Sequence, residues 1–244
     1  MKISVIIIAG NEEKKIEDCL KTIEWADEIV FVDSESSDNT VNIAKRFTNK
    51  IYVKKWKGFA AQKRFALEQT TNDWVLSLDA DERVSELLKL KLLNIKVNDF
   101  SAFKIKRDNY LLGKKIKTCG WDKDYQLRFF NKSKTQMNNR LVHEGFETEG
   151  SVAIIEEPII HYTYSSITEA LEKINRYSTL QAKEYLGKKK SNAFMLLLHS
   201  FSAFFRFFIS LKGYRDGYRG MLVSFFNSIT TFLTYVKIKE LENN

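Results

Sequence analysis

The residues best placed to do chemistry are Asp79-Ala80-Asp81-Glu82. Two carboxylates separated by one small residue follow Trp74-Val75-Leu76-Ser77-Leu78, an apolar run that reads as a buried strand. Ending a buried strand in like charges gains nothing for folding, because Asp and Glu are rarely buried unless paired or metal-bound. Hard oxygen ligands suit Mg2+ or Mn2+, and Mg2+ is commonly held by one or two carboxylates together with substrate phosphates. The plainer reading is a solvated acidic turn that caps the next helix, and the four residues alone do not decide. Further polar groups follow two other apolar runs: Asn11-Glu12 after Ile3 to Ile8, and Asp33 after Glu28 to Val32. Later in the chain, His143-Glu144 and His161 add candidate acid–base and ligand groups.

These groups need elements to position them. The β-branched run Ile3 to Ile8 predicts a strand covered on both faces. Ile16, Cys19, Leu20 and Ile23 then recur at helical spacing. Glu28 to Val32 predicts a second strand, a helix follows through Val41, Ala44 and Phe47, and Ile51 to Val53 is a short third strand. Phe59, Gln62, Lys63, Ala66 and Leu67 mark a helix before the Trp74 strand. This alternation predicts an α/β fold with a mostly parallel, doubly wound sheet. In such a sheet the strand ends share one edge, where ligands bind. The carboxylates after the first, second and fourth strands therefore converge from far apart in sequence, which counts against the plain acidic turn.

After a helix at Glu86 to Leu93 the pattern changes. Strands are expected at 101–107, 125–130, 141–147, 152–155 and 159–162, as a mixed or antiparallel extension of the first sheet. Ile167 to Tyr185 is an amphipathic helix, and two apolar stretches follow, Ala193 to Leu211 and Met221 to Val236. The expected organisation is a catalytic domain over 1–164 and a helical extension over 165–244. A spanning helix needs about 20 apolar residues, and Arg206 counts against spanning in the first stretch. Flanking Lys and Arg suit an interfacial anchor on anionic lipid, as in a cytoplasmic protein held at the inner face of the membrane. Packing of these helices on the catalytic domain or on another subunit, as in a homo-oligomer, is an equal alternative.

The net charge of +8 and pI near 9.2 point to an anionic partner. Nucleic acid, acidic membrane and phosphorylated substrates all qualify. The basic residues spread along the chain instead of forming one stacking platform, so nucleic acid is not the expected partner. Two cysteines give neither a metal-ligand pattern nor a disulfide framework, which suits a reducing compartment. Met1-Lys2 leads into a first strand too short for a signal-peptide core. A basic chain with a strand-end Asp pair also fits an Mg2+-dependent nucleotidyltransferase or a non-catalytic basic membrane- or RNA-binding module. The chain lacks a Gly-rich phosphate loop after its first strand.

Several stretches together resemble the family 2 glycosyltransferases, which have the GT-A, Rossmann-like fold. They are Ser4 to Glu13, Glu28 to Ser34 with Ser37-Asp38-Asn39-Thr40, and Leu78 to Glu82. Gly58 to Lys63, Gly120-Trp121 through Gln126-Leu127-Arg128, Val142-His143-Glu144 and Gly213 to Gly217 are similar to the branch that includes lipopolysaccharide core β-1,4-glucosyltransferases. Where that branch has an aromatic and a proline between Trp121 and Asp124, this chain has Asp122 and Lys123. The resemblance implies a metal-dependent hexosyltransferase. Sugar would move, with inversion, from a nucleotide diphosphate sugar such as a UDP-hexose to a glycan or glycolipid acceptor such as lipopolysaccharide core. Asp81 would then ligate Mn2+ or Mg2+, and His161 would close the metal site. Asp79 would face the ribose or metal-bound water, Asp33 the base, and Glu12 or the backbone around Ala9 the ribose, with Asn11 also on the nucleotide. Lys63 would neutralise the diphosphate, Glu144 would act as general base, and Trp121 and Arg128 would line the acceptor pocket.

Overall fold

The computed structural model describes residues 1–97, 99–138, 145–189 and 192–243. The first elements are β1 (Ile3–Ala9), α1 (Ile16–Lys21), β2 (Glu28–Asp33), α2 (Thr40–Ala44), β3 (Lys50–Val53), α3 (Phe59–Glu68) and β4 (Trp74–Asp79). β1 pairs in parallel with β2 and with β4, and β2 with β3. Alternation along each strand sends Val5, Ile7, Phe31, Leu76 and Leu78 to one face, against Cys19, Leu20 and Ile43. Ile6, Ile8, Val30, Val32 and Val75 fill the other face with Ala66 of α3. Burial on both faces explains why these strands read as continuous apolar runs.

The chain continues through β5 (Glu82–Val84), α4 (Glu86–Asn94), β6 (Phe100–Leu111), β7 (Lys114–Lys115), β8 (Tyr125–Asn131), β9 (Thr135–Met137), β10 (Phe146–Thr148) and β11 (Ser151–Tyr164). Ser85 caps α4 by accepting the Leu88 amide at 3.2 Å. The main sheet runs β3-β2-β1-β4-β8-β6-β11-β5, with β7 paired to β6, and β10-β9 form a separate ribbon. β8 is antiparallel to β4 and β6 to β8, which gives the mixed sheet expected for the middle of the chain. Two details differ from expectation. The two stretches at 152–155 and 159–162 are one strand, β11, which carries on through Pro158. The acidic stretch does not run straight into a helix: Glu82 to Val84 form β5, antiparallel to β11, with His161 opposite Glu82.

The chain divides into two compact units. The first holds Met1–Arg107 and Tyr125–His161, and the second holds Asp108–Asp124 and Tyr162–Asn244. Residues 108–124 thus join the C-terminal unit, because Leu111, Ile116 and Cys119 share a core there with Ala170, Ile174, Val223 and Phe226. Those last four belong to α5 (Ile167–Tyr185) and, for Val223 and Phe226, to α7 (Gly217–Asn243); α6 (Ala193–Phe205) lies between them in sequence. Gly220 is required by a close backbone approach, since a Cβ there would meet the Gly213 carbonyl oxygen at 1.8 Å.

The N-terminal edge of the sheet is locked by one carboxylate. Glu28 accepts from Ser4 Oγ and Lys50 Nζ, and from the Thr71 amide and hydroxyl, both at 2.9 Å. Burial opposes its charge, but these partners outweigh burial and bring its pKa down to about 2. A folded-state value below the unfolded one contributes stability that is present above the ordinary glutamate range. That stability is lost as pH falls towards 2. Glu28→Gln should therefore cost about 2 kcal/mol at pH 7, roughly 4–8 °C in midpoint. Its melting temperature should also vary less than wild type between pH 5 and 2, which thermal denaturation across pH would show.

Candidate active site

Register brings the site together. Ala9 lies opposite Asp33 and Ile8 opposite Asp79, so β2, β1 and β4 deliver Asp33, Ala9 and Asp79 to one edge. At a strand spacing near 4.8 Å, the Asp33 and Asp79 positions are roughly 10 Å apart. The loops after β1 and β2 clasp one another across that edge. The Asn11 amide donates to Ser36 Oγ at 2.8 Å, and Asn11 Oδ1 accepts the Ser37 amide at 2.9 Å. The Glu12 amide donates to Thr40 Oγ1 at 2.8 Å. Asp33 is fully buried and accepts the Ser36 amide at 2.8 Å and its hydroxyl at 2.6 Å. Asn11 holds this geometry at a φ of 56°, a conformation that Asn tolerates better than most residues.

Asp79 is the centre of an ion-pair chain. Its Oδ1 meets Lys63 Nζ at 2.8 Å and its Oδ2 meets Arg128 Nη2 at 2.5 Å. Arg128 also reaches Glu82 Oε1 at 2.7 Å, and Arg107 Nη1 meets the same oxygen at 3.1 Å. The other Glu82 oxygen accepts the Asp79 amide at 2.9 Å. Glu82, Lys63 and Arg128 are buried, and such charges persist only because they are paired. Burial opposes the Asp79 charge, yet Arg128 and Lys63 outweigh it and hold the carboxyl well below the usual range. The Arg128 guanidinium, against the effect of its own burial, is pushed up by Asp79 and Glu82. Lys63 is therefore no surface lysine, and Arg128 is committed to two carboxylates.

Asp81 and His161 form the second half of the site. His161 Nε2 lies 3.6 Å from Asp81 Oδ2, both side chains being only slightly exposed. β5 achieves this by turning the chain back against β11 directly after the Asp-Ala-Asp stretch. Arg83 pins that turn by donating to the carbonyls of Ala80 at 3.0 Å and Lys15 at 2.6 Å. Among the described residues, no group of three or more His, Cys, Asp and Glu converges as a complete cation cage. A carboxylate and an imidazole side by side fit an ion whose remaining ligands come from substrate and water. Glu82 belongs to the acidic stretch singled out in the sequence, whereas Arg107 and Arg83 take parts in the site's wiring that the motifs did not reveal.

The remaining predicted residues stand as follows. Trp121 lies in the second unit, in a single 3-10 turn (Trp121–Lys123), with its ring centroid 6.4 Å from that of Tyr164. Its carbonyl accepts from Asn109 Nδ2 at 3.4 Å. Glu144, with His143, lies outside the described residues. A cavity of about 670 Å³, lined by Lys2, Asp27, Glu28, Arg46 and Lys50, opens at the opposite edge of the sheet from these groups. Both thiols are free and buried, and burial pushes Cys19 up to about 12, which leaves it unreactive.

A mixed α/β sheet with carboxylates gathered at the ends of its parallel strands is a GT-A type of fold. Residues 4–162 match the profile of Glycosyl transferase family 2, and the chain belongs to that family. It is 31% identical over 98% of its length to an uncharacterized glycosyltransferase of Rickettsia typhi, covering 87% of that protein. It is 29% identical, again over 98% of its length, to the lipopolysaccharide core biosynthesis glycosyltransferase LpsC of Rhizobium meliloti, covering 92% of it. Among solved structures, S. aureus TarS 1-349 in complex with UDP-GlcNAc aligns over 100% of this chain and 92% of that one. The TM-score is 0.53 at 14% identity, a likeness of fold. Family membership makes the chain a glycosyltransferase and sets aside the nucleotidyltransferase alternative.

Proposed function

We propose that the chain transfers a hexose, with inversion, from a UDP-sugar to a hydroxyl of a glycolipid or glycan acceptor of the lipopolysaccharide core kind. The observation that carries this reading is the 3.6 Å approach of Asp81 and His161 beside the Asp79 ion-pair chain. The sequence relative named for lipopolysaccharide core biosynthesis and the fold relative in complex with UDP-GlcNAc support the acceptor and donor classes. Asp81 and His161 would hold Mg2+ or Mn2+, which supplies positive charge for the departing diphosphate. Lys63 and Arg128 keep Asp79 ionised and fixed, so that it can accept hydrogen bonds from ribose or metal-bound water. Arg128 retains one donor, Nε, without a partner among the described residues. The buried Asp33 and the clasped loops of Asn11 and Glu12 frame the base and ribose end.

Inversion by direct displacement needs a general base on the acceptor side. Glu144 fills that role in this proposal, on sequence grounds. Glu144→Gln should lower transfer by 10²–10⁴-fold, the usual range for a lost general base, with UDP affinity unchanged. Single-turnover transfer and calorimetric UDP titration on the same sample would check it, and a fully active variant would remove Glu144 from the mechanism. Screening a panel of nucleotide sugars for metal-dependent hydrolysis tests the donor class, and absence of hydrolysis with every UDP-sugar would overturn it.

A further inference from the structure

We infer that the outer face of α6 and the turn after it is a monotopic docking surface for an anionic lipid bilayer. Phe194, Leu197, Leu198, Phe201, Phe205 and Ile209 recur every three to four residues, and each is between 49% and 69% exposed. A globular unit buries such a stripe unless something else covers it. The helix itself is well formed: Asn192 caps it by accepting the Met195 amide at 2.8 Å. Its inner side is anchored, since Ser228 Oγ of α7 donates to the Ser200 carbonyl at 2.8 Å. The stripe therefore points outward on a fixed support. Phe225 of α7 extends it, its ring centroid 4.8 Å from that of Phe204.

Charge identifies the occupant. From Leu186 to Lys239 the sequence carries nine Lys or Arg and a single carboxylate, Asp216. Asp216 is already engaged, accepting from the Lys117 amide at 2.8 Å and from Thr118 Oγ1 at 2.6 Å. Lys188, Lys189, Lys212 and Arg215 are exposed and flank the stripe in sequence, and Arg206 is exposed within it. Two copies of such a surface would bring like charges together, whereas a bilayer with anionic headgroups meets both the apolar stripe and its basic rim. Exposed Tyr214 and Tyr218 supply the amphipathic aromatics favoured at headgroup level.

The mode is lying on the bilayer, not crossing it. The apolar helix Phe194–Ser210 is shorter than the roughly 20 residues a crossing needs, and Arg206 falls within it. The helical stretch Gly213–Asn243 is long enough and contains an 18-residue window apolar enough to cross. Val223, Phe226, Tyr235 and Ile238 on it are buried within its own unit. Lys237 ties it to α5 through Asn175 Oδ1 at 2.7 Å and Ser178 Oγ at 2.8 Å. A helix held in this way has one free side, which suits the interface plane.

Density-gradient flotation of the full chain tests the inference. Vesicles of phosphatidylcholine alone are compared with vesicles that also contain phosphatidylglycerol. Wild type should float with the anionic vesicles, and less so at high salt. Leu197→Glu with Phe201→Glu should lower partitioning at least tenfold. Lys188→Glu with Lys189→Glu should lower it by roughly fivefold or more per residue on anionic vesicles only. Circular dichroism checks folding, and Leu197→Ser with Phe201→Ser replaces the glutamate pair if that pair unfolds. Wild type remaining at the bottom with both vesicle types overturns the inference, as does undiminished flotation of the folded double variants. A concentration-dependent dimer that the same substitutions dissociate, without flotation, makes a second copy the occupant instead. UDP binding measured on the same samples separates this face from the donor site, because either can fail alone.

Discussion

Asp81→Ala is expected to lower sugar transfer by about 10³-fold, the scale on which removing transition-state charge stabilisation acts. It is expected to abolish the metal dependence of UDP binding while the fold survives. The basis is the division of labour among the three carboxylates. Asp79 and Glu82 are neutralised by Lys63, Arg128 and Arg107, all of which remain in place when Asp81 is removed. Asp81 instead faces His161 at 3.6 Å, a pairing that brings two potential ligands together and leaves the ion pairs undisturbed. The contrasting variant is Asp79→Ala, which leaves the buried Lys63 and Arg128 short of a counter-charge and should destabilise as well as inactivate. Calorimetric titration of UDP with Mn2+ and with EDTA distinguishes the outcomes. Asp81→Ala binding UDP as wild type does, with or without EDTA, would end the metal role assigned to this residue.

Which parts of this site were legible from the chain follows from the range of each interaction. The runs Ile3 to Ile8, Glu28 to Val32 and Trp74 to Leu78 announce buried parallel strands because both faces are covered, and that signal is local. The convergence of Asp33, Ala9 and Asp79 then follows from parallel register, without any knowledge of side-chain contacts. The return of the chain at Glu82 was not legible. A three-residue strand has no usable period, and β5 exists only because β11, some 80 residues on, offers a partner edge. Arg107 was hidden in the same way: in sequence it ends an alternating strand, and only pairing of β6 with β8 and β11 turns it towards Glu82. Lys63 was legible only as a helix residue that would neutralise a diphosphate. Its burial, with Asp79 at 2.8 Å, is a tertiary fact that helical spacing does not encode.

Arg128→Met should cost about 3–5 kcal/mol, the range for breaking a buried ion pair by removing one partner. The guanidinium bridges Asp79 at 2.5 Å and Glu82 at 2.7 Å, so its loss leaves Asp79 with Lys63 and Glu82 with Arg107, each with less than a full complement. Both contacts come from one nitrogen, Nη2, so Arg128→Lys should rescue only as far as the shorter lysine stem brings its ammonium to that point. Adding Glu82→Gln to Arg128→Met should cost less than the sum of the two single changes, since it removes the buried charge that Arg128 was neutralising. The pH dependence gives an independent check. Asp79 is depressed in the folded state, so its contribution is present above the ordinary aspartate value near 3.8 and is lost as pH falls below it. Without Arg128 the depression shrinks, and the stability gap between wild type and Arg128→Met should narrow from pH 7 to pH 3. Urea denaturation at the two pH values measures that gap. A gap that widens towards pH 3 would contradict the role of Arg128 in holding Asp79 ionised.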